Sequence, residues 1–286
     1  MIKTILVPLT DHKSDKDVLE TAYLVARLFD AHLECLHVSP DWRTTAARSV
    51  VHDTTGAGVS DDLFASIEQE AKGAKWHARR HLAEFCKRRQ LSVTDQCPPS
   101  GRISVTWREI SGDSWQKITH EARFHDLVVM AHQAGVYELG ALILNAGRPV
   151  LLAPRRAPEN LAPTIAVAWK EMAEAARAIT AAMPLLRKAD RILIVSVEDG
   201  RGSAATMESA ERAALQLRWH GLNAEAHYVI SGDHTIAGAF VKAARDNKAD
   251  LIVSGGYGHS RLRETVLGGV TRDLLQESPF PTFFFH

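Results

Sequence analysis

Two clusters of glycine carry the clearest chemistry in this chain. Gly255, Gly256 and Gly258 follow the apolar run 250–254, and nine residues then separate Gly258 from Gly268, Gly269, Val270 and Thr271. Glycine tolerates positive φ and lets backbone N–H groups approach a ligand that a Cβ would hold away. Consecutive amides beside a helix N-terminus form a concavity for anions. Residues 270–275 read as the start of a helix, so the two turns are spaced to grip one phosphate chain. His259 adds a donor next to Gly258, and Arg261 or Arg263 adds a planar fork that suits phosphate. The alternative is structural: glycines that turn the chain at a sheet edge, His259 as a polar loop residue, and Arg263 with Glu264 as a solvated pair.

Other reactive side chains point to chemistry less clearly. Of the fourteen histidines, His77 and His81 lie four apart and can share a helix face. Arg79 and Arg80 stand between them without the Glu of an H-E-x-x-H arrangement, which favours a solvated face. His132 follows a strand at a position expected for a ligand site, and His37 and His32 are candidates to join it. Zinc takes three or four ligands, and nothing in the spacing brings these together, so no metal site is assigned. Asp113 and Asp233 each follow Ser-Gly and precede a helix, as N-caps do. Ser254 and Ser260 lack the G-x-S-x-G setting of a nucleophile, and no catalytic residue is assigned. Cys35, Cys86 and Cys97 have no C-x-x-C spacing, which argues against a disulfide framework or zinc knuckle. Cys35 reads as a buried small hydrophobe. Cys97 stands before two prolines with nothing nearby to activate it.

These groups must be positioned by a chain of 286 residues, long for one core and suited to two domains. Lys plus Arg equals Asp plus Glu at 34 each, so no global field favours nucleic acid or anionic lipid. The longest apolar runs fall short of the roughly 18 residues of a membrane span. The N-terminal residues read as a strand rather than a signal peptide, so a cytoplasmic protein is expected. Trp107, Trp115 and Trp219 fit core positions. The basic residues of a long helix at 61–90 are interrupted by Glu68, Glu70 and Glu84, as on a solvated face. Residues 40–60 are rich in Ser, Thr and Gly and read as a mobile loop.

The chain repeats itself. Ser111-Gly112-Asp113 opens a helical stretch followed by the strand pattern 126–131, and Ser231-Gly232-Asp233 opens another followed by 250–254. The first half reads as strands 2–9, 31–39, 104–110, 126–131 and 149–153, with helices at 14–29, 61–90, 114–124 and 137–146. The second reads as strands 163–169, 190–198, 224–230, 250–254 and 281–285, with helices at 171–187, 204–220, 234–248 and 269–277. Short apolar runs alternating with helices imply βαβ units and parallel sheets. The proline-punctuated segment 154–162 separates the halves. In open parallel sheets, ligands bind beyond the carboxyl ends of the strands, where the strand order reverses. The glycine segment leaves such an end, with Trp169-Lys170 and Val197-Glu198 at the ends of the second half's first two strands.

The second half resembles a universal stress protein domain, whose nucleotide-binding members carry G-x2-G-x9-G followed by Ser or Thr. Gly255, Gly258 and Gly268 match the three glycines, and the resemblance extends over both halves as two tandem domains. It implies an α/β fold with two mainly parallel, open-twisted five-stranded sheets, at 1–155 and 163–286. It further implies that the second domain binds ATP or a related adenine nucleotide, alone or with Mg. The turns at Gly255, Gly256, Gly258 and His259 and at Gly268, Gly269, Val270 and Thr271 would cradle phosphates. Ala168, Trp169 and Val197 would border adenine and ribose. Lys170 stands where the family commonly has Asp, replacing an acceptor by a cation, and Gly269 replaces a hydroxyl residue. Asp126 to Pro149 spans 23 positions and Asp250 to Pro281 spans 31, so eight residues of the glycine segment are missing from the first half. Ala131 and Ala134 correspond to Gly255 and Gly258, and Thr10 or Asp11 falls at the family's Asp position.

The expectation is a stress-associated nucleotide-binding or regulatory protein with at most weak ATP hydrolysis and one nucleotide per chain. Its two domains would pack as a covalent counterpart of a dimer, with 149–153 and 281–285 as edge strands, and a homodimer could form a further level. The alternatives are a metabolite or lipid binder that uses the first domain, and an adenylating enzyme of a related fold.

Overall fold

The computed structural model describes residues 1–10, 13–40, 61–96, 102–132, 135–199, 204–256, 269–276 and 278–286. The expected loop at 40–60 and Cys97 lie essentially outside these residues, as do Asp11, Gly258, His259, Ser260, Arg261, Arg263 and Gly268. The first half runs β1 (Thr4–Pro8), α1 (Asp15–Phe29), β2 (His32–Ser39), α2 (Asp61–Arg89), β3 (Ser104–Ser111), α3 (Ser114–Ala122), β4 (Leu127–Ala131), α4 (Val136–Asn145) and β5 (Val150–Ala153). The second runs β6 (Thr164–Ala168), α5 (Ala173–Leu186), β7 (Arg191–Glu198), α6 (Ala204–Trp219), β8 (Ala224–Ile230), α7 (Ile236–Asp246), β9 (Leu251–Gly255), α8 (Gly269–Gln276) and β10 (Thr282–Phe285). Each element matches one expected from the sequence.

The strands form one sheet in the order β3-β2-β1-β4-β5-β10-β9-β6-β7-β8. Alternate residues of each strand enter opposite cores: Ile5 and Val7 join one cluster and Leu6 the other. Helices cover both faces, which is why β4 and β9 are continuous apolar runs. The aspartate that recurs before them is a strand fastener. Asp126 Oδ2 accepts from the N–H groups of Lys3 (2.7 Å) and Thr4 (3.0 Å), and Asp250 Oδ2 accepts from Thr164 N–H (2.9 Å). Each carboxylate thus holds the fourth strand of its half against the first.

The closing strands differ from expectation. They are not the edges of two separate sheets, because β5 and β10 pair antiparallel at the centre, with Leu151 opposite Phe283 and Val150 opposite Phe284. Every other pairing between neighbouring strands is parallel. Phe283 and Phe284 are fully buried on opposite faces, each contributing about 1.5–3 kcal/mol through burial. The outer edges are β3 and β8. Other details also depart from expectation. Asp113 does cap α3, accepting from Gln116 N–H at 3.0 Å. In the second copy the cap is Thr235, which accepts from Gly238 N–H at 3.0 Å, not Asp233. Trp219 is 83% exposed rather than in the core, because α6 turns Ala210, Ala213, Ala214 and Leu217 toward the sheet.

A charged cluster ties α3 to the outer strands of the first half. Arg108 Nη1 donates to Glu34 (3.0 Å) and Glu121 (2.7 Å). His125 donates from Nδ1 to the Glu121 carbonyl at 2.9 Å, with Nε2 3.5 Å from Glu34. Burial opposes a charged imidazole, but the Glu34 carboxylate and the Glu121 carbonyl prevail and raise the pKa of His125 above 6.5. The hydrogen bond from His125, reinforced by Arg108, holds the Glu34 carboxyl below its usual range despite burial. A raised folded-state pKa gives stability that is complete below the unfolded value and is lost as pH rises through the folded value. The stability gap between wild type and His125→Gln should therefore narrow as pH rises from about 6 to about 9. Urea unfolding at both pH values measures it, and a gap independent of pH would contradict the assignment.

Candidate functional site

Strand order reverses between β6 and β9, and their carboxyl ends open into a cavity of about 740 Å³. That size suits a small-molecule ligand. Ala168, Trp169, Lys170, Val197, Gly255, Gly269, Val270 and Thr271, all singled out from the sequence, line it. Gly258, His259 and Gly268 lie outside the described residues. Gly256 does not line the cavity. A Cβ there would come within 2.7 Å of Ile143 Cγ2 in α4, across the seam between halves. Its N–H donates to the Phe285 carbonyl and its own carbonyl accepts from His286 Nδ1, both at 2.8 Å. Gly256 therefore belongs to the joint between the halves.

Gly255 is required for a close approach. A Cβ would lie 2.8 Å from the Glu174 carbonyl carbon and 2.9 Å from Ala175 N. Neither Gly255 nor Gly256 has positive φ, so chain packing, not left-handed backbone, explains both. Gly269 differs from them: among the described residues nothing lies within 4 Å of its would-be Cβ. It opens α8, and the first turn of that helix faces the cavity through Gly269, Val270 and Thr271. The N–H groups of a first helical turn have no intrahelical acceptor and carry partial positive charge, which suits an anion.

The opposite wall is fixed by Trp169. Its N–H donates to the Val195 carbonyl at 2.9 Å, its carbonyl accepts from Ser196 Oγ at 3.2 Å, and its indole donates to Ser209 Oγ at 3.0 Å. The buried side chain of Phe240, with Val195 and Val197, adds apolar surface suited to a flat ring. Lys170 is exposed at the rim and makes no ion pair among the described residues. Carboxylates outnumber it, since Glu171, Glu174, Glu198 and Asp199 also border the cavity. Glu198 accepts from Tyr228 Oη at 2.5 Å and Thr206 Oγ1 at 3.4 Å. Sequence reasoning missed Glu174, Ser209, Ile236 and Phe240. Ser209 left one signal, as a hydroxyl beside the alanine-rich buried face of α6.

The equivalent end of the first half is built differently. β4 passes to α4 through residues 132–135, whereas β9 passes to α8 through 256–268. A cavity of about 290 Å³ remains at the ends of β1 and β2. Thr10, one of the two residues the resemblance offers for the family's Asp position, lines it, and its N–H donates to Asp15 Oδ1 at 3.3 Å. The three candidate histidines do not converge. His132 Nδ1 donates to the Leu275 carbonyl of α8 at 3.1 Å, His37 lines the 290 Å³ cavity, and His32 meets Ser104 Oγ at 2.7 Å, at the other end of β2. Among the described residues no three His, Cys, Asp or Glu side chains group to hold a metal. Cys35 and Cys86 are buried, and burial raises both thiol pKa values. No described helix is long and apolar enough to cross a membrane.

The fold and the duplicated arrangement have known counterparts. The universal stress protein family model matches residues 1–136 and 158–286. No curated protein matches the chain. Among solved structures it is similar to a universal stress protein from Archaeoglobus fulgidus DSM 4304, with TM-score 0.65 and 16% identity over 99% of this chain and 95% of that one. It is also similar to a functionally unknown protein from Pseudomonas aeruginosa PAO1, with TM-score 0.60 and 16% identity over 99% of this chain and 92% of that one. At such identity the structural likeness shows the fold alone. The family match covers nearly all of both halves, and the chain belongs to the universal stress protein family as a tandem, two-domain member.

Proposed function

We propose that the second domain, residues 163–286, binds ATP or a related adenine nucleotide and that the protein acts as a stress-associated binding or regulatory protein. The observation that carries this reading is the 740 Å³ cavity at the β6–β9 reversal, which has an aromatic and apolar wall on one side and the first turn of α8 on another. Adenine and ribose would lie against Trp169, Val197 and Phe240, with phosphates directed at Gly269–Thr271 and Lys170. The four carboxylates at the rim can accept from ribose hydroxyls. They oppose a bare triphosphate and suit one neutralised by Mg, which takes oxygen ligands. Efficient phosphoryl transfer also needs a water-orienting group and a charge clamp. Lys170 is the single cation lining the cavity among the described residues, so binding with at most slow hydrolysis is the proposed activity.

The domain at 1–155 lacks the glycine segment and would not take the same ligand. Titration calorimetry with Mg·ATP should therefore give one site per chain, with weaker binding when Mg is chelated. Two equivalent sites, or no heat at millimolar nucleotide, would refute the proposal.

A further inference from the structure

The helix whose first turn faces the 740 Å³ cavity is held at its other end by the first half of the chain. His132 follows β4 and is buried, and its Nδ1 lies 3.1 Å from the Leu275 carbonyl of α8. A carbonyl oxygen only accepts, so Nδ1 carries the hydrogen and donates. Leu275 lies in the last turn of an eight-residue helix, where carbonyls have no intrahelical N–H to accept from. Basic side chains often fill that role at a helix C-terminus, but residues 273–276 of α8 are Asp, Leu, Leu and Gln. The donor comes instead from the other half, 143 positions earlier in the chain.

Packing follows the same division. Leu274 and Leu275 are fully buried in one cluster with Leu142 and Ile143 of α4, from the first half, and Phe240 of α7, from the second. α8 lies against both helices. Its opposite end places Gly269, Val270 and Thr271 on the cavity wall. The shortness of α8 makes its aim sensitive. Eight residues rise about 12 Å, so a tilt of about 10° around one end moves the other by about 2 Å. Hydrogen bonds from backbone N–H groups span about 2.7–3.2 Å, so such a displacement breaks them. We propose that His132 is a positioning residue: by fixing the C-terminal end of α8, it aims the first-turn amides at the phosphates of a nucleotide in the second domain. The inference rests on the nucleotide reading, and it gives the first domain, which lacks the glycine segment, a part in that site.

The test is calorimetry on the full chain with Mg·ATP and with adenosine, which has no phosphate for α8 to meet. His132→Phe keeps a flat ring but removes the donor. It should weaken Mg·ATP binding about five- to tenfold, within the worth of a buried hydrogen bond, and leave adenosine binding unchanged. His132→Asn reverses the contrast, because it loses packing while its amide offers an N–H close to the place of Nδ1. It should lower the melting temperature yet bind Mg·ATP nearly as wild type does. Coupling is reciprocal, so Mg·ATP should also move the His132 Nδ1 resonance in the ¹⁵N-histidine NMR spectrum of the wild type, and adenosine should not. Wild-type Mg·ATP affinity in His132→Phe, equal losses for ATP and adenosine, weak Mg·ATP binding by His132→Asn, or an unmoved resonance would each overturn the inference. Those results leave the nucleotide proposal standing, whereas no Mg·ATP binding by the wild type would overturn both. The NMR measurement needs no variant and decides the matter if neither folds.

Discussion

Gly269→Asp is expected to weaken ATP binding by at least about tenfold without lowering the melting temperature. Among the described residues nothing lies within 4 Å of the would-be Cβ at 269, so the new side chain displaces none of them. Aspartate in a first helical turn interacts favourably with the helix dipole by about 0.3–1 kcal/mol and has better helix propensity than glycine. The fold should therefore be as stable as before. The ligand would face a different field. Two unit charges about 5 Å apart at an effective dielectric of about 20 repel by about 3 kcal/mol. Solvent at the open rim reduces that figure, and a tenfold loss corresponds to less than half of it. Gly269→Ala is the matched control, because it keeps the backbone amide, adds no charge and should bind ATP as wild type does. Calorimetry and thermal unfolding on the three proteins decide the outcome. Wild-type affinity in Gly269→Asp would mean that phosphates do not sit at the head of α8.

The reach of the sequence can be traced through the same residues. Buried parallel strands need two apolar faces, so Leu127–Ala131 and Leu251–Gly255 were legible as central strands. Their places beside β1 and β6 are held by the aspartates that precede them, which accept from N–H groups at the start of those first strands. Eight of the proposed ligand residues meet in one cavity because four of them close or follow strands at the reversal, Val197 lies near the end of β7, and three open the next helix. The seam between the halves left no local trace. The pairing of β5 with β10 depends on register between distant segments, and a strand buried by a partner half reads like any apolar edge. Gly256 shows why: a glycine facing Ile143 of the other half has the same sequence signature as one facing a phosphate. Asp233 and Thr235 both had the chemistry of a cap, and two residues of offset decided between them.

Gly255→Ala should lower the melting temperature by several degrees and weaken ATP binding, whereas Gly256→Ala should do less to stability and nothing to affinity. The contrast lies in what each new methyl group meets. At 255 it would lie 2.8 Å from the Glu174 carbonyl carbon and 2.9 Å from both Glu174 O and Ala175 N. All three are backbone atoms of the first turn of α5, so no rotamer change relieves the clash. Either the end of β9 or the start of α5 must retreat. Overpacking of this kind costs about 1–3 kcal/mol, and each kcal/mol lowers the midpoint by about 2–4 °C in a protein of 150–250 residues, somewhat less in a longer one. Glu174, Ala175 and Gly255 all line the 740 Å³ cavity, so the displacement also falls on the wall proposed to bind the nucleotide. At 256 the methyl would meet Ile143 Cγ2 at 2.7 Å, a branch methyl of one buried, χ1-stiff side chain in α4. Relief takes a shift of that side chain and its helix rather than of several backbone atoms. The strain there falls on the seam, away from the cavity. Thermal unfolding and ATP calorimetry on both variants separate the two roles. Wild-type stability in Gly255→Ala would show that close packing does not explain this glycine. Weakened ATP binding in Gly256→Ala would return that residue to the nucleotide site.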